Sequence, residues 1–110
     1  MTQKANKRLE YLLKLTGGQN ASAGDPFAWY GLAMEFRNLE RYEEALATFE
    51  QLRVRAPDYV PMYLMCAQML EKAGRATDAR AWIQAGIEAA RRKGDAHTLG
   101  ELESALAALD

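Results

Sequence analysis

Residues 26–59 read PFAWYGLAMEFRNLERYEEALATFEQLRVRAPDY, and the apolar pattern of this stretch recurs in residues 60–93. When the chain is shifted against itself by thirty-four positions, apolar residues coincide at helical spacing. The coincident pairs are Trp29 with Tyr63, Leu32 with Cys66, Ala33 with Ala67, Phe36 with Leu70, Ala45 with Ala79, and Phe49 with Ile83. The repeat predicts that each copy buries the same stripe of side chains between its helices.

The first copy divides into two helices. Asp25 and Pro26 are a typical helix start, because Asp caps the free N–H groups and proline is tolerated at the first helical position. This helix is expected to run to about Asn38. A second helix is expected from about Tyr42, and it must stop before Pro57, whose predecessor avoids helical geometry.

The second copy divides in the same way. Asp58 and Pro61 are expected to open a helix that reaches about Ala73. Gly74 then supplies the turn, because glycine adopts the left-handed conformation that commonly ends a helix. The partner helix is expected over residues 77–93, with basic residues at its negative C-terminal end.

These residues resemble a tetratricopeptide repeat, with one copy at 26–59 and a weaker copy at 60–93. The matching positions of the first copy are Trp29, Leu32, Ala33, Phe36, Ala45, Phe49 and Pro57. Three positions depart from the family pattern. Glu40 replaces the usual glycine between the helices, Gly86 stands where alanine or leucine is common, and the second copy ends in Arg91 rather than proline.

The two ends of the chain are predicted to cap the repeats, because a repeat unit cannot bury its outer faces alone. The capping stripes are Ala5, Leu9, Leu12 and Leu13 at the N-terminus, and Leu99, Leu102, Leu106 and Leu109 in a last helix capped by Asp95. The expected fold is all-α: a right-handed α-solenoid of about six helices paired as antiparallel hairpins. We expect one domain over 1–110, with an N-terminal helix and loop at 1–24 and a C-terminal capping helix at 95–110.

Composition disfavours several classes of function. The net charge is -1, so no global field attracts nucleic acid or an anionic membrane. No apolar run suggests a signal peptide or a membrane span, and we expect a cytoplasmic protein. Cys66 and His97 are the only thiol and the only imidazole, which leaves no cluster of the kind that nucleophilic catalysis or metal binding requires. We therefore predict a protein that is not an enzyme and has no cofactor.

The family resemblance implies that the first helix of each repeat lines a concave surface that receives peptides. The corresponding places here are Phe27, Tyr30, Met34, Arg37 and Asn38 in the first copy, and Pro61, Leu64, Gln68, Glu71 and Lys72 in the second. Some family members hold a C-terminal carboxylate with a Lys at the place of Tyr30 or Leu64 and an Asn at the place of Met34 or Gln68. Because this chain has neither residue there in either copy, that clamp is missing and an acidic peptide tail is disfavoured.

The predicted function is that of a protein-interaction module or adaptor, which binds a partner peptide or helix in a mostly apolar concave groove. The predicted contact residues are Phe27, Tyr30, Met34, Arg37, Asn38, Leu64, Met65, Gln68 and Lys72. The same strip is also compatible with cover by the N-terminal helix or by a second copy of the chain.

Two alternatives to the adaptor remain open at this stage. The first is a homo-oligomeric scaffold of stacked repeats. The second is a nucleic-acid-binding accessory protein that uses the basic clusters of the chain, although its charge balance disfavours this reading. The clusters are Lys4, Lys7 and Arg8; Arg53 and Arg55; and Arg91, Arg92 and Lys93.

Overall fold

The computed structural model describes residues 3–17 and 24–109, and every regular element within them is an α-helix. The described residues form six helices: α1 (Gln3–Thr16), α2 (Pro26–Asn38), α3 (Tyr42–Arg55), α4 (Pro61–Lys72), α5 (Ala76–Lys93) and α6 (Ala96–Leu109). The expected all-α class and the number of helices are confirmed. Residues 18–23, which belong to the N-terminal helix and loop expected over 1–24, and the side chains of Lys4 and Ala5 lie outside the described residues.

Two of the three expected aspartate caps are present, and all three helices begin within one residue of the expected position. The Asp25 carboxylate accepts a hydrogen bond from the Phe27 N–H at 3.0 Å, and Pro26 opens α2. Asp95 immediately precedes α6, and its carboxylate accepts a hydrogen bond from the Thr98 N–H at 3.1 Å. Both carboxylates thus satisfy N–H groups that have no partner within the helix.

The expectation that Asp58 opens α4 is wrong. The helix begins at Pro61 after Val60, and no side chain caps it. Two residues separate Asp58 from Pro61, and its carboxylate instead forms an ion pair with Arg92 of α5 at 2.8 Å. Asp58 therefore fastens the turn before α4 to the C-terminal end of α5.

Two compact units divide the chain, one formed by Met1–Ala56 and the other by Pro57–Asp110. In the N-terminal unit α2 packs against α3 and α1 packs against α2. The interface of α2 and α3 is apolar, and the Arg55 guanidinium covers its edge, 4.4 Å from the centre of the Trp29 ring. Such a contact shields the aromatic face and adds a favourable cation–π interaction.

Helix α1 presents a narrower apolar stripe than expected. Leu9, Leu12 and Thr16 are buried, whereas Leu13 is 45% exposed, so its expected place in the stripe is wrong. Leu13 lies at the rim because it is rotated by about 100° from Leu12 around the helix axis. Thr16 completes the inward face by donating its hydroxyl to the Leu12 carbonyl at 3.0 Å.

In the C-terminal unit α5 packs against both α4 and α6. The rings of Tyr63 and Trp82 meet with their centres 5.8 Å apart, and the Tyr63 hydroxyl donates to the Pro57 carbonyl. Gly86 lies directly against Tyr63, where an added Cβ would come within 2.6 Å of the tyrosine Cβ. The missing side chain at Gly86 therefore allows α4 and α5 to approach closely.

The core expected from the repeat is confirmed. All of its positions are buried: Trp29, Leu32, Ala33, Phe36, Ala45, Phe49, Tyr63, Cys66, Ala67, Leu70, Ala79 and Ile83. The four leucines of α6 contribute unequally, since Leu102 is completely buried while Leu99, Leu106 and Leu109 are half-buried. Leu102 is thus the most deeply buried side chain of α6.

Candidate functional site

One candidate surface is the face of α2 that points away from α3. Phe27 is 73% exposed, Asn38 is exposed, and Tyr30, Met34 and Arg37 are half-buried. Partial burial raises the pKa of the Tyr30 phenol, and the nearby Arg37 charge opposes this shift. The phenol is therefore neutral near pH 7, and the surface combines two aromatic rings, a thioether and one fixed positive charge.

Helix α1 lies on the neighbouring face of α2. An added Cβ at Gly31 would lie 3.2 Å from the Leu12 side chain, and Arg8 binds the buried Glu35 carboxylate at 3.0 Å. Since Gly31 and Glu35 lie one turn apart, α1 runs along the Gly31 side of the helix. This arrangement leaves Phe27 largely exposed.

A second candidate surface lies on α4, in the other unit. Leu64 and Met65 are half-buried, whereas Gln68 and Lys72 are exposed. Neighbouring residues of the same helix, including Tyr63, Cys66 and Ala67, are almost completely buried. The predicted contact residues of α4 therefore lie outside the core, as those of α2 do.

The structure joins two of these α4 residues to α6. An open groove of about 600 Å³ lies between the two helices within the C-terminal unit. Its lining residues are Leu64, Gln68, His97, Gly100, Glu101, Ser104 and Ala105. The predicted contacts Met65 and Lys72 are not part of this lining.

Sequence reasoning missed the contribution of α6 to this groove. The five α6 residues that line the groove are spaced as one helical face, because they recur at intervals of three, one, three and one residues. They are small or polar: His97, Gly100, Glu101, Ser104 and Ala105. The leucines of α6 lie on a different face of the helix, and only that face was predicted from the sequence, although the small and polar residues show the same helical spacing.

Four arginines of the basic clusters contact other side chains. Arg8 binds Glu35, Arg92 binds Asp58, and Arg55 covers the Trp29 ring. Arg91 has weaker ion pairs with Glu88 at 3.5 Å and Glu103 at 3.9 Å. These contacts distribute positive charge among acidic and aromatic neighbours, whereas a continuous basic stripe is the usual footprint of a nucleic-acid-binding surface.

The residues singled out as potential reactive groups are separate from one another. Cys66 is completely buried in α4, and His97 is exposed on α6, where its Nε2 lies 3.6 Å from a Glu101 carboxylate oxygen. Among residues 3–17 and 24–109, no group of three or more His, Cys, Asp or Glu side chains is arranged to hold a metal ion. No helix in the same ranges is long and apolar enough to cross a membrane.

Helix pairs that recur every thirty-four residues, with small side chains at their crossings, define a helical-repeat protein. A family model described as tetratricopeptide repeat matches residues 30–92, which is more than half of the chain. The chain belongs to the tetratricopeptide repeat family, and its fold class is all-α and tetratricopeptide-like.

The solved structures similar to this chain include a solution NMR structure and a crystal structure of a tetratricopeptide repeat domain protein from Salinibacter ruber. The solution NMR structure is 37% identical, with a TM-score of 0.73, and the match covers 78% of this chain and 87% of that one. The crystal structure is 38% identical, with a TM-score of 0.70 and coverage of 77% and 94%. No curated protein matches the chain. Membership of this family supports a general role as a protein-interaction or scaffold module.

Proposed function

We propose that this chain is an adaptor that binds a peptide or helix of a partner protein on the outward faces of α2 and α4. The proposed contacts are Phe27, Tyr30, Met34, Arg37 and Asn38 on α2, and Leu64, Met65, Gln68 and Lys72 on α4. In this role the protein acts in the cytoplasm, catalyses no reaction and needs no cofactor.

The exposure of Phe27 is the observation that carries this proposal. Its side chain is 73% exposed at the start of α2, next to the half-buried Tyr30 and Met34. Aromatic and methionine side chains are enriched in the centres of protein interfaces, because they bury a large apolar area on binding. A partner segment that covers Phe27 would remove this area from water.

A self-associating scaffold is the second candidate, and two exposed apolar side chains of α1 favour it. Tyr11 is 62% exposed and Leu13 is 45% exposed, although α1 packs against α2 through its other face. These two side chains lie about 200° apart around the helix, on either side of the buried stripe, so a second copy of the chain could cover one of the two flanks of α1. Light scattering at low and high protein concentration separates the two candidates, because only self-association raises the apparent mass with concentration.

The adaptor proposal is tested by charging Phe27 and comparing the result with a matched control. Phe27→Lys should abolish most of the capture of proteins that the wild type retains from a lysate of its own organism. Val54→Lys changes a side chain that is equally apolar and 79% exposed on α3, so it should leave capture intact. Both variants should melt near the wild-type temperature, because exposed substitutions change stability by no more than about 0.5 kcal/mol.

The measurement is a quantitative pull-down read by mass spectrometry, beside a thermal melt of each variant. Equal loss of capture in both variants would mean that the effect is not specific to the α2 face. Full capture by Phe27→Lys would rule out this face as the binding surface.

A further inference from the structure

The groove between α4 and α6 is open to solvent, and two of its α6 residues have little or no side chain. Gly100 has no side chain, an added Cβ there would meet no atom within 4 Å, and Ala105 contributes only a methyl group. Leu64 forms an apolar wall on the α4 side. The space that larger side chains would fill is left open, so a side chain from another molecule has room to enter.

The groove contains one carboxylate. Glu101 is the only acidic residue in the lining, its side chain is 50% exposed, and the lining contains no lysine or arginine. Gln68 and Ser104 both donate and accept hydrogen bonds, so they can bind a polar group of either charge, and the selection for charge rests on Glu101. The His97 Nε2 lies 3.6 Å from a Glu101 carboxylate oxygen, so an incoming cation would share this carboxylate with the imidazole.

We propose that the groove between α4 and α6 binds a partner segment that inserts an arginine or lysine side chain. This inference rests on the proposed function, because it specifies the chemistry of the segment that the module binds. The aliphatic stem of the inserted residue packs on Leu64 and Ala105, as long basic side chains do when their charged end stays in water. The cationic end pairs with the Glu101 carboxylate through a charge-assisted hydrogen bond.

An acidic segment is disfavoured by the same geometry. Its carboxylate would enter a groove that already contains Glu101, and like charges at close distance repel. The nearest predicted cationic contact on α4 is Lys72, one turn beyond Gln68, and it does not line the groove. The groove therefore selects for positive charge.

The experiment uses a displayed library of random heptapeptides, selected on the immobilised full chain. Peptides enriched by the wild type should contain arginine or lysine more often than the starting library. On Glu101→Lys the preference should reverse toward aspartate and glutamate. Glu103→Lys is the matched control, because Glu103 carries the same charge on α6 but lies outside the groove, so it should retain the wild-type preference.

A synthetic copy of the most enriched peptide then gives the size of the effect. Its affinity should fall about tenfold on Glu101→Lys and change little on Glu103→Lys. In a titration of the isotopically labelled wild type, the amide signals of Gly100 and Ala105 should shift. Glu101→Gln serves as a second variant if the lysine substitution lowers the melting temperature.

The peptide selection separates a loss of charge preference from a loss of peptide binding. If peptides are enriched without a basic residue, or bind Glu101→Lys and Glu101→Gln as well as the wild type, the charge selection is overturned and the binding function stands. If no peptide is enriched on the wild type, both the binding function and the inference built on it are overturned.

Discussion

At the residue scale, Glu40 and Gly74 occupy equivalent turns of the two repeats and adopt the same unusual backbone. Glu40 has φ of 60° and Gly74 has φ of 79°, both in the left-handed region. Glycine adopts this conformation without a steric cost, whereas in a residue with a Cβ the conformation lowers the stability of the fold by about 1–2 kcal/mol. Glu40 therefore carries backbone strain that Gly74 avoids.

Glu40→Gly should stabilise the protein by about 1 kcal/mol, because it relieves this strain. Gly74→Ala is the reciprocal control and should destabilise by a similar amount, since an added Cβ at Gly74 meets no other atom and only the backbone changes. The free energy of unfolding in urea provides the measurement. A loss of stability in Glu40→Gly would show that the glutamate side chain contributes more than the backbone strain costs.

Gly86 illustrates a different use of glycine. Gly86→Ala should destabilise the protein by about 1–3 kcal/mol, because the new Cβ would lie 2.6 Å from the Tyr63 Cβ and would force α4 and α5 apart. Gly100→Ala is the control, as it adds the same atom to an exposed helical site with no atom within 4 Å. That change should leave stability unchanged or raise it by up to about 1 kcal/mol, because alanine favours helix formation.

Thermal melts of the two alanine variants compare these outcomes directly. Equal melting temperatures would contradict the conclusion that the close approach at Gly86 is necessary.

At the element scale, α6 packs against α5, and Leu102 is the residue of α6 that is completely buried. Leu102→Ala should cost about 2–5 kcal/mol, because it removes buried methyl groups and leaves a cavity. Leu109→Ala serves as the control at a half-buried position of the same helix and should cost less. The prediction fails if urea unfolding gives the same loss for both variants.

The start of α6 should respond to acid. Hydrogen bonds from the Thr98 backbone and side chain lower the pKa of the Asp95 carboxyl, because they favour its charged form. Because the pKa of Asp95 is lower in the folded state than in the unfolded state, its carboxylate stabilises the fold at pH values above the unfolded pKa of about 3.9. This stabilisation is lost as the pH falls through the folded-state pKa.

Asp95→Asn should therefore show a smaller decrease in melting temperature than the wild type between pH 6 and acid conditions. Asparagine can still cap the helix but has no charge to lose. Asp78→Asn is a suitable control on α5, since it removes an exposed carboxylate that does not cap α6. Identical pH profiles for the wild type and Asp95→Asn would exclude a contribution from this group.

At the scale of the whole molecule, the charge balance predicts a weak response to polyanions. The net charge is -1, and Arg8, Arg55 and Arg92 of the basic clusters contact acidic or aromatic partners. We expect no binding of a single-stranded polyuridine RNA tighter than about 100 µM at physiological salt. Fluorescence anisotropy of a labelled RNA at several salt concentrations provides the test. Tight binding that weakens steeply with salt would revive the nucleic-acid alternative.

The fold class and the core were predictable because both are encoded locally and then repeated. Trp29 and Tyr63 occupy equivalent positions of two helices, and the helical period places each one on the buried stripe. Asp25 and Asp95 cap their helices through bonds that span two or three residues, which the sequence order alone predicts. The contact residues on α2 and α4 remain a prediction from family resemblance, as do the domain boundaries.

The tertiary structure decided the features that depend on neighbours distant in sequence. Asp58 binds Arg92, thirty-four residues away, and so does not cap α4. Gly86 is required because Tyr63 lies against it, and the groove exists because α6 places its small and polar face opposite Leu64. The spacing of apolar residues determines which face of a helix is buried, because residues three or four positions apart lie on the same side of the helix. The distance to the facing helix depends on the packing of both surfaces together, and neither sequence segment contains that information alone.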